Sequence, residues 1–352
     1  MVQCSLTTLH QSFSLRFELA ASPAETADVP SPLWLRLLLY PHPAFRSFSL
    51  QTPWTPCSLP ALHQLPAYLE RHLTLLHADP DSESPPLQAN DLPFRLQAFA
   101  ADLAPTPSGS RSFAIRILLQ TGFSSHWSCP VFAGGEETLA LSSLTQFLSC
   151  WQQALDALPT LLPPPPSPSR SLSSSYLGPA QPPSALLQGL PPQSFTLSLP
   201  TEGYTFLLSL WPLPTTRSYL GLQFAIALPC STGRWWLHER ASSFPAADLF
   251  SLADYLEHHL YQWQRDPSFI SPEWISSELD LLVQAQGGQR LQDGSGAVQL
   301  LCLPLFCSKT DKQTIRLGGL APVDRAVLQD FIASLRLSLE QLGAINDPSA
   351  LY

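Results

Sequence analysis

Leu62–Leu73, LHQLPAYLERHL, and Leu249–Leu260, LFSLADYLEHHL, decide how this chain is read. In the first, Leu62, Leu65, Leu69 and Leu73 recur at the spacing of one helix face. In the second, Leu249, Leu252, Leu256 and Leu260 do the same, each 187 positions further on. The shared Tyr-Leu-Glu-x-His-Leu core goes beyond that, because helical periodicity asks for leucines and not for a Tyr, a Glu and a His at fixed places. A second pair of helical stripes, Leu144, Phe147, Leu148, Leu155, Leu158 and Leu328, Phe331, Ile332, Leu339, Leu342, keeps a constant offset of 184. The chain therefore reads as an internal repeat. The halves are residues 1–160 and 193–352, and Leu69 should superpose on Leu256 and Leu148 on Ile332.

Strands precede each helix. Phe13, Leu15, Phe17 and Leu19 alternate with Ser14, Arg16 and Glu18, the period of a half-buried strand. Leu33–Tyr40 and a segment at 45–50 follow, then a helix with Ser58 as N-cap and Pro60 in its first turn. Pro66 is expected to delay the helix proper until about that residue. Phe94–Phe99, Ser112–Leu119 and a stretch around Trp127 precede the second helix. The later half repeats the scheme with Phe195–Leu199, Tyr204–Leu210, Tyr219–Leu228 and Arg234–His238 before one helix, and Glu278–Gln284, Ala297–Leu303 and Thr314–Leu317 before the other. Successive strands without intervening helices pair antiparallel. The expected fold class is α+β: antiparallel sheets with helices on one face, built from four β-β-β-α units. Residues 161–192, with Pro163 to Pro166 in a row, read as a Pro/Ser-rich linker, since proline has no N–H and a fixed φ.

Charged residues are 13% of the chain, about half the usual share. A weakly hydrated surface favours contact with a partner. The net charge is −9 and the arginines are scattered, so nucleic acid is not an expected partner. No apolar run approaches the roughly 18 residues of a membrane span. The first residues lack a basic n-region, and Arg16 and Glu18 interrupt the apolar stretch that follows. No signal peptide and a cytoplasmic location are expected. The seven cysteines form no Cys-x-x-Cys and read as reduced thiols.

Glu70 with His72, and Glu257 with His259, recur in both halves, but residues two apart on a helix face away from each other. Gly134-Gly135-Glu136-Glu137 reads as the lead-in to a helix, and Gly287-Gly288 with Gly294-Ser295-Gly296 as a hairpin turn; neither has the lysine of a phosphate loop. Asp79, Asp81 and Glu83 resemble the start of a calcium loop without its central glycine or distal glutamate. No catalytic residue, cofactor or metal ligand is assigned. Trp235-Trp236 places adjacent indoles on opposite faces of one strand. One of them is expected to be exposed as the anchor of an interface.

Trp34-Leu35 opening a strand, the helix from Leu144 to Leu158 closing at Pro159, and Pro272-Glu273-Trp274-Ile275 together resemble the WapI-family immunity proteins, small bacterial proteins that bind and neutralise a toxin domain. The resemblance implies an α+β fold and a protein partner, and no individual site residue. The function expected is a non-enzymatic protein-binding or scaffold protein, with a protein partner or self-association. The alternative is an enzyme, such as a hydrolase, with a site between the halves.

Overall fold

The computed structural model describes residues 2–8, 13–21, 33–41, 50–87, 91–102, 112–124, 127, 129–158, 190–214, 216–230, 233–278, 280–291, 295–307 and 314–344. Among them the first half contributes β1 (Val2–Thr7), β2 (Phe13–Ala21), β3 (Leu33–Pro41), β4 (Leu50–Gln51), β5 (Thr55–Cys57), α1 (Leu59–Ala78), β6 (Phe94–Asp102), β7 (Ser112–Phe123), β8 (Pro130–Ala140) and α2 (Leu141–Asp156). The second contributes β9 (Phe195–Pro200), β10 (Thr205–Leu213), β11 (Thr216–Cys230), β12 (Gly233–Pro245), α3 (Ala246–Arg265), β13 (Trp274–Ile275), β14 (Leu281–Arg290), β15 (Gly296–Cys307), β16 (Thr314–Asp324) and α4 (Arg325–Gln341). This is a mixed architecture of antiparallel sheets and four helices, as the alternation of the strands implied.

The chain divides into two compact units. One is Met1–Gly122 with Gly134–Ser173 and Ser308–Ile315; the other is Phe123–Ala133 with Ser174–Cys307 and Arg316–Tyr352. In the first, β1-β2-β3-β4 form a sheet, with β5 also on β3, and β6 pairs antiparallel with β7. Phe13, Leu15, Phe17, Leu35, Leu37 and Leu39 line its buried face with at most 1% exposure, as period-two alternation requires. In the second unit β12-β11-β10-β9 form one sheet, and β13-β14-β15-β16 follow in order in another. Leu197, Phe206, Leu208, Phe224 and Ile226 line the buried face of the first of these sheets.

Helix α1 begins as its cap predicts: the Ser58 hydroxyl accepts the Ala61 N–H at 3.3 Å, with Pro60 in the first turn. It does not wait for Pro66, which lies inside it. A proline there removes the N–H that would bond the carbonyl four residues back, that of Leu62. The indole Nε1–H of Trp151, on α2, donates to that carbonyl at 3.2 Å. The orphaned acceptor thus has a donor from outside the helix, which lets the helix continue. In α3 and α4 the positions 187 beyond Pro66 and 184 beyond Trp151 are Ala253 and Leu335, both fully buried.

Other expectations need correction. Gly134 and Gly135 are not a helix lead-in but lie within β8, and α2 starts only at Leu141. A Cβ at Gly134 would overlap the Ile117 carbonyl oxygen, so the glycine is there for close backbone approach inside a sheet. Gly287 and Gly288 lie in β14, where the register with β15 shifts by a bulge, and the expected hairpin turn falls later, between Arg290 and Gly296, where the Leu291 N–H donates to the Ser295 carbonyl at 2.8 Å. Trp127 is in a turn, its N–H bonded to the Ser124 hydroxyl at 2.8 Å. Strand β1, unexpected from the sequence, carries the period-two pattern in only Val2, Cys4 and Leu6. The count before the helices is also not uniformly three: β1–β5 precede α1, β6–β8 precede α2, and four strands precede each of α3 and α4. Residues 45–49 of the third expected strand, and 161–189 of the linker, lie outside the described residues.

Candidate functional site

The best-equipped polar constellation occurs twice. In the first unit His72, on the buried face of α1, places Nδ1 2.9 Å from the Ser84 hydroxyl and Nε2 3.0 Å from the Phe99 carbonyl. A carbonyl only accepts, so Nε2 carries the proton and Nδ1 accepts from the serine; the imidazole is neutral. Four residues before it, the Tyr68 hydroxyl accepts the Ala98 N–H at 3.0 Å. In the second unit His259 Nδ1 lies 2.9 Å from the Ser271 hydroxyl, and the Tyr255 hydroxyl accepts the Ala285 N–H at 2.9 Å. That hydroxyl also donates to the Pro272 carbonyl at 2.9 Å. The backbone of Gln286 holds toward His259 the role of Phe99, although Nε2 makes no hydrogen bond of full geometry there.

Strand chemistry explains why these residues converge. Both sets sit at a strand edge beyond the helix, that of β6 after α1 and, past its two-residue pairing with β13, that of β14 after α3. Ser84 N–H bonds Ala98 O, and Ser271 N–H bonds Ala285 O, each at 3.0 Å. Immediately beyond, each ladder shifts by a bulge: between Ala98 and Ala101 on β6, and between Gln286 and Gly288 on β14. The Tyr, Ser and His side chains pin the helix to backbone groups at that irregular edge.

What the sets can do chemically follows from their burial. His72 and His259 are 0% exposed, Ser84 4% and Ser271 1%. A Ser–His pair acts as a nucleophile only where a substrate reaches the hydroxyl and an acid orients the ring. Here the rings are sealed, and the first meets a carbonyl in place of a carboxylate. Glu70 and Glu257 point outward from the same helices, as their two-residue spacing from the histidines required. The two sets are internal pins.

Burial sets their titration. It pushes His259 down to about 4, helped by the neighbouring His258 charge, and pushes His72 down in the same direction. An unfolded histidine titrates near about 6.5. Below that pH the unfolded chain takes up protons that the folded chain refuses. The contribution of His259 is therefore complete above about pH 6.5 and is lost as the pH falls toward about 4, reaching about 3 kcal/mol. Urea midpoints measured at about pH 7.5 and about pH 4.5 should fall for the native chain, and His259→Gln should flatten that drop. An equally steep drop in the variant would mean that His259 is not the titrating group.

The two indoles singled out by sequence lie on β12, with Trp235 paired to Leu228 and Trp236 to Ala227. The Trp236 side chain is half-buried and packs against Leu207 and Ala225. Strand alternation puts these three on the face opposite Phe206, Phe224 and Leu237. The Trp235 side chain lies outside the described residues. The Asp79 carboxylate, in the stretch that only resembles the start of a calcium loop, accepts the Asp81 N–H and the Ser82 hydroxyl, an Asx turn closing the helix. Asp266 repeats it with the Ser268 N–H and hydroxyl. Among the described residues no three His, Cys, Asp or Glu side chains are placed to share a metal ion. No helix among them is long and apolar enough to cross a membrane.

Sequence reasoning missed the ion pairs, two of which join partly buried strand residues. Arg116 Nε donates to Glu136 at 2.9 Å with the guanidinium 4.7 Å over the Phe99 ring, and Arg36 Nε donates to Glu18 at 2.8 Å. Glu18 on β2 and Arg36 on β3 are direct cross-strand partners, which the alternation around Phe17 and Leu37 could have revealed. No protein-family model matches the chain, and no curated protein and no solved structure matches it.

Proposed function

We propose that the chain is a tandem duplication that works as a non-enzymatic binding or scaffold protein, with the Trp236 face of β12 contributing to the contact. The single observation behind the non-enzymatic part is that both Ser–His sets are sealed and spent on internal pinning.

The duplication draws support from paired details that secondary structure alone does not demand. Tyr68, His72, Ser84 and Ala98 stand 187 positions before Tyr255, His259, Ser271 and Ala285 and make the same contacts. Gly134 and Gly318 stand 184 apart, and a Cβ on either would overlap a carbonyl oxygen of the neighbouring strand, that of Ile117 or of Cys302. Where the halves differ, they differ in compensation. On β2 and β3 the cross-strand pair is Ala20 with Trp34; on β10 and β11 it is Trp211 with Gly221, large and small exchanged between strands. The Trp211 indole fills the space that a Gly221 side chain would need.

The binding part rests on the sparse charge of the chain and the half-buried indole. A toxin domain is the partner class that the resemblance to immunity proteins supplies. The test starts from proteins co-purified with the full chain from its native host. The dissociation constant of the partner so identified is then measured for the native chain and for Trp236→Ala. The reading expects a variant that folds and binds about 30-fold more weakly. A folded variant with unchanged affinity would remove Trp236 from the interface, and turnover of a small substrate by the purified chain would remove the non-enzymatic reading.

A further inference from the structure

One thiol pair is used by neither the pins nor the indole face. Cys4, on β1, is 2% exposed; Cys150, on α2, is half-buried. The Cys150 thiol points at Cys4 with the two sulfurs 2.9 Å apart, and it also lies 3.8 Å from the Gln3 carbonyl. A disulfide bond is about 2.05 Å long, so a small side-chain rotation would close the gap. Nothing in the fold requires the pair, since the corresponding places on β9 and α4 hold Leu197 and Ser334. Neither of those side chains can be oxidised in this way, and yet the strand and helix form there too.

We propose that Cys4 and Cys150 are a redox modification site that closes to a disulfide between β1 and α2 under a two-electron oxidant such as hydrogen peroxide or a small-molecule disulfide. Cys150 is the first to react, because it is the more accessible of the two and the thiolate is the nucleophile. With peroxide it loses its proton, attacks one oxygen and becomes a sulfenic acid, releasing water. Cys4 then gives up its proton and attacks that sulfur, and a second water leaves as the S–S bond forms. Two thiols and one peroxide become one disulfide and two waters. With a small disulfide, the same two attacks release two small thiols. Burial, and then the Cys150 thiol beside it, push the Cys4 thiol well up, in keeping with Cys150 as the first of the two to attack the oxidant.

The experiment uses the full chain, oxidised with hydrogen peroxide or with oxidised glutathione, blocked with an alkylating agent, digested without reduction and mapped by mass spectrometry. The expected product is a peptide pair linked through Cys4 and Cys150, two hydrogens lighter than the reduced pair and lost on adding dithiothreitol. Oxidation should raise the thermal midpoint of the native chain, since the bond closes a long loop, and should leave Cys150→Ser unshifted. Recovery of both cysteines as alkylated peptides after oxidation would overturn the proposal. So would oxidation of Cys150 to the sulfinic acid without a linked product, or a linked peptide that joins Cys150 mainly to another cysteine.

Discussion

Alanine at Gly134 or at Gly318 is expected to cost about 3 kcal/mol or more, a large share of the stability of an ordinary domain. The added carbon at Gly134 would overlap the Ile117 carbonyl oxygen and come 2.9 Å from the Leu118 Cα; at Gly318 it would overlap the Cys302 carbonyl oxygen. Backbone atoms cannot rotate aside as a flexible side-chain tip can. The strands β8 and β16 would have to move away from their neighbours, breaking ladder hydrogen bonds along the way. Gly122, near the end of β7, has nothing within 4 Å of its would-be Cβ. Alanine there should change stability by no more than about 0.5 kcal/mol. Urea unfolding of the three variants decides the matter. Tolerance of alanine at either Gly134 or Gly318 would show that the close approach is not what places glycine there.

Trp151→Ala should cost about 3–5 kcal/mol. The indole is 1% exposed, with its ring 5.3 Å from that of Phe17 and 5.7 Å from that of Phe147. Truncation removes that volume and also the donor to the Leu62 carbonyl, which Pro66 has deprived of its helical partner. A buried acceptor left without a donor adds its own penalty of about 1–3 kcal/mol. The loss should therefore sit toward the top of the range for an aromatic truncation, and far-ultraviolet circular dichroism should report fraying of α1 on its N-terminal side. A loss below about 1 kcal/mol would mean that neither the packing nor the cap matters.

These sites also mark how far the sequence could be read. The apolar stripes of α1 and α3 were legible because leucine every three or four residues has no other economical explanation, and Ser58 followed by Pro60 signalled where α1 starts. The i, i+2 geometry told correctly that Glu70 and His72 would part company. What the sequence could not tell was where His72 would find partners. Ser84 and Phe99 lie 12 and 27 residues away and meet the ring only through the folding-back of β6. Pro66 misled for the same reason. Its local effect is to break a helix, and the remedy comes from Trp151, 89 residues beyond the carbonyl it serves. Gly134-Gly135 misled because glycine has a low intrinsic preference for strands, and only the neighbouring Ile117 carbonyl makes it necessary. The Trp235–Trp236 reading went as far as strand alternation allows, which separates two faces and does not say what covers either.

If the two halves are one design with compensating replacements, Pro66 and Trp151 are energetically coupled, and a double-mutant cycle measures that coupling. Pro66→Ala with Trp151→Leu converts the first half to the Ala253 and Leu335 arrangement of the second. With an N–H restored at residue 66, the Leu62 carbonyl no longer depends on the indole. Pro66→Ala should then stabilise the Trp151→Leu background by about 1 kcal/mol more than it stabilises the native chain, measured by urea unfolding. Simple additivity, with a coupling below about 0.5 kcal/mol, would contradict the compensation and with it the correspondence of the two halves.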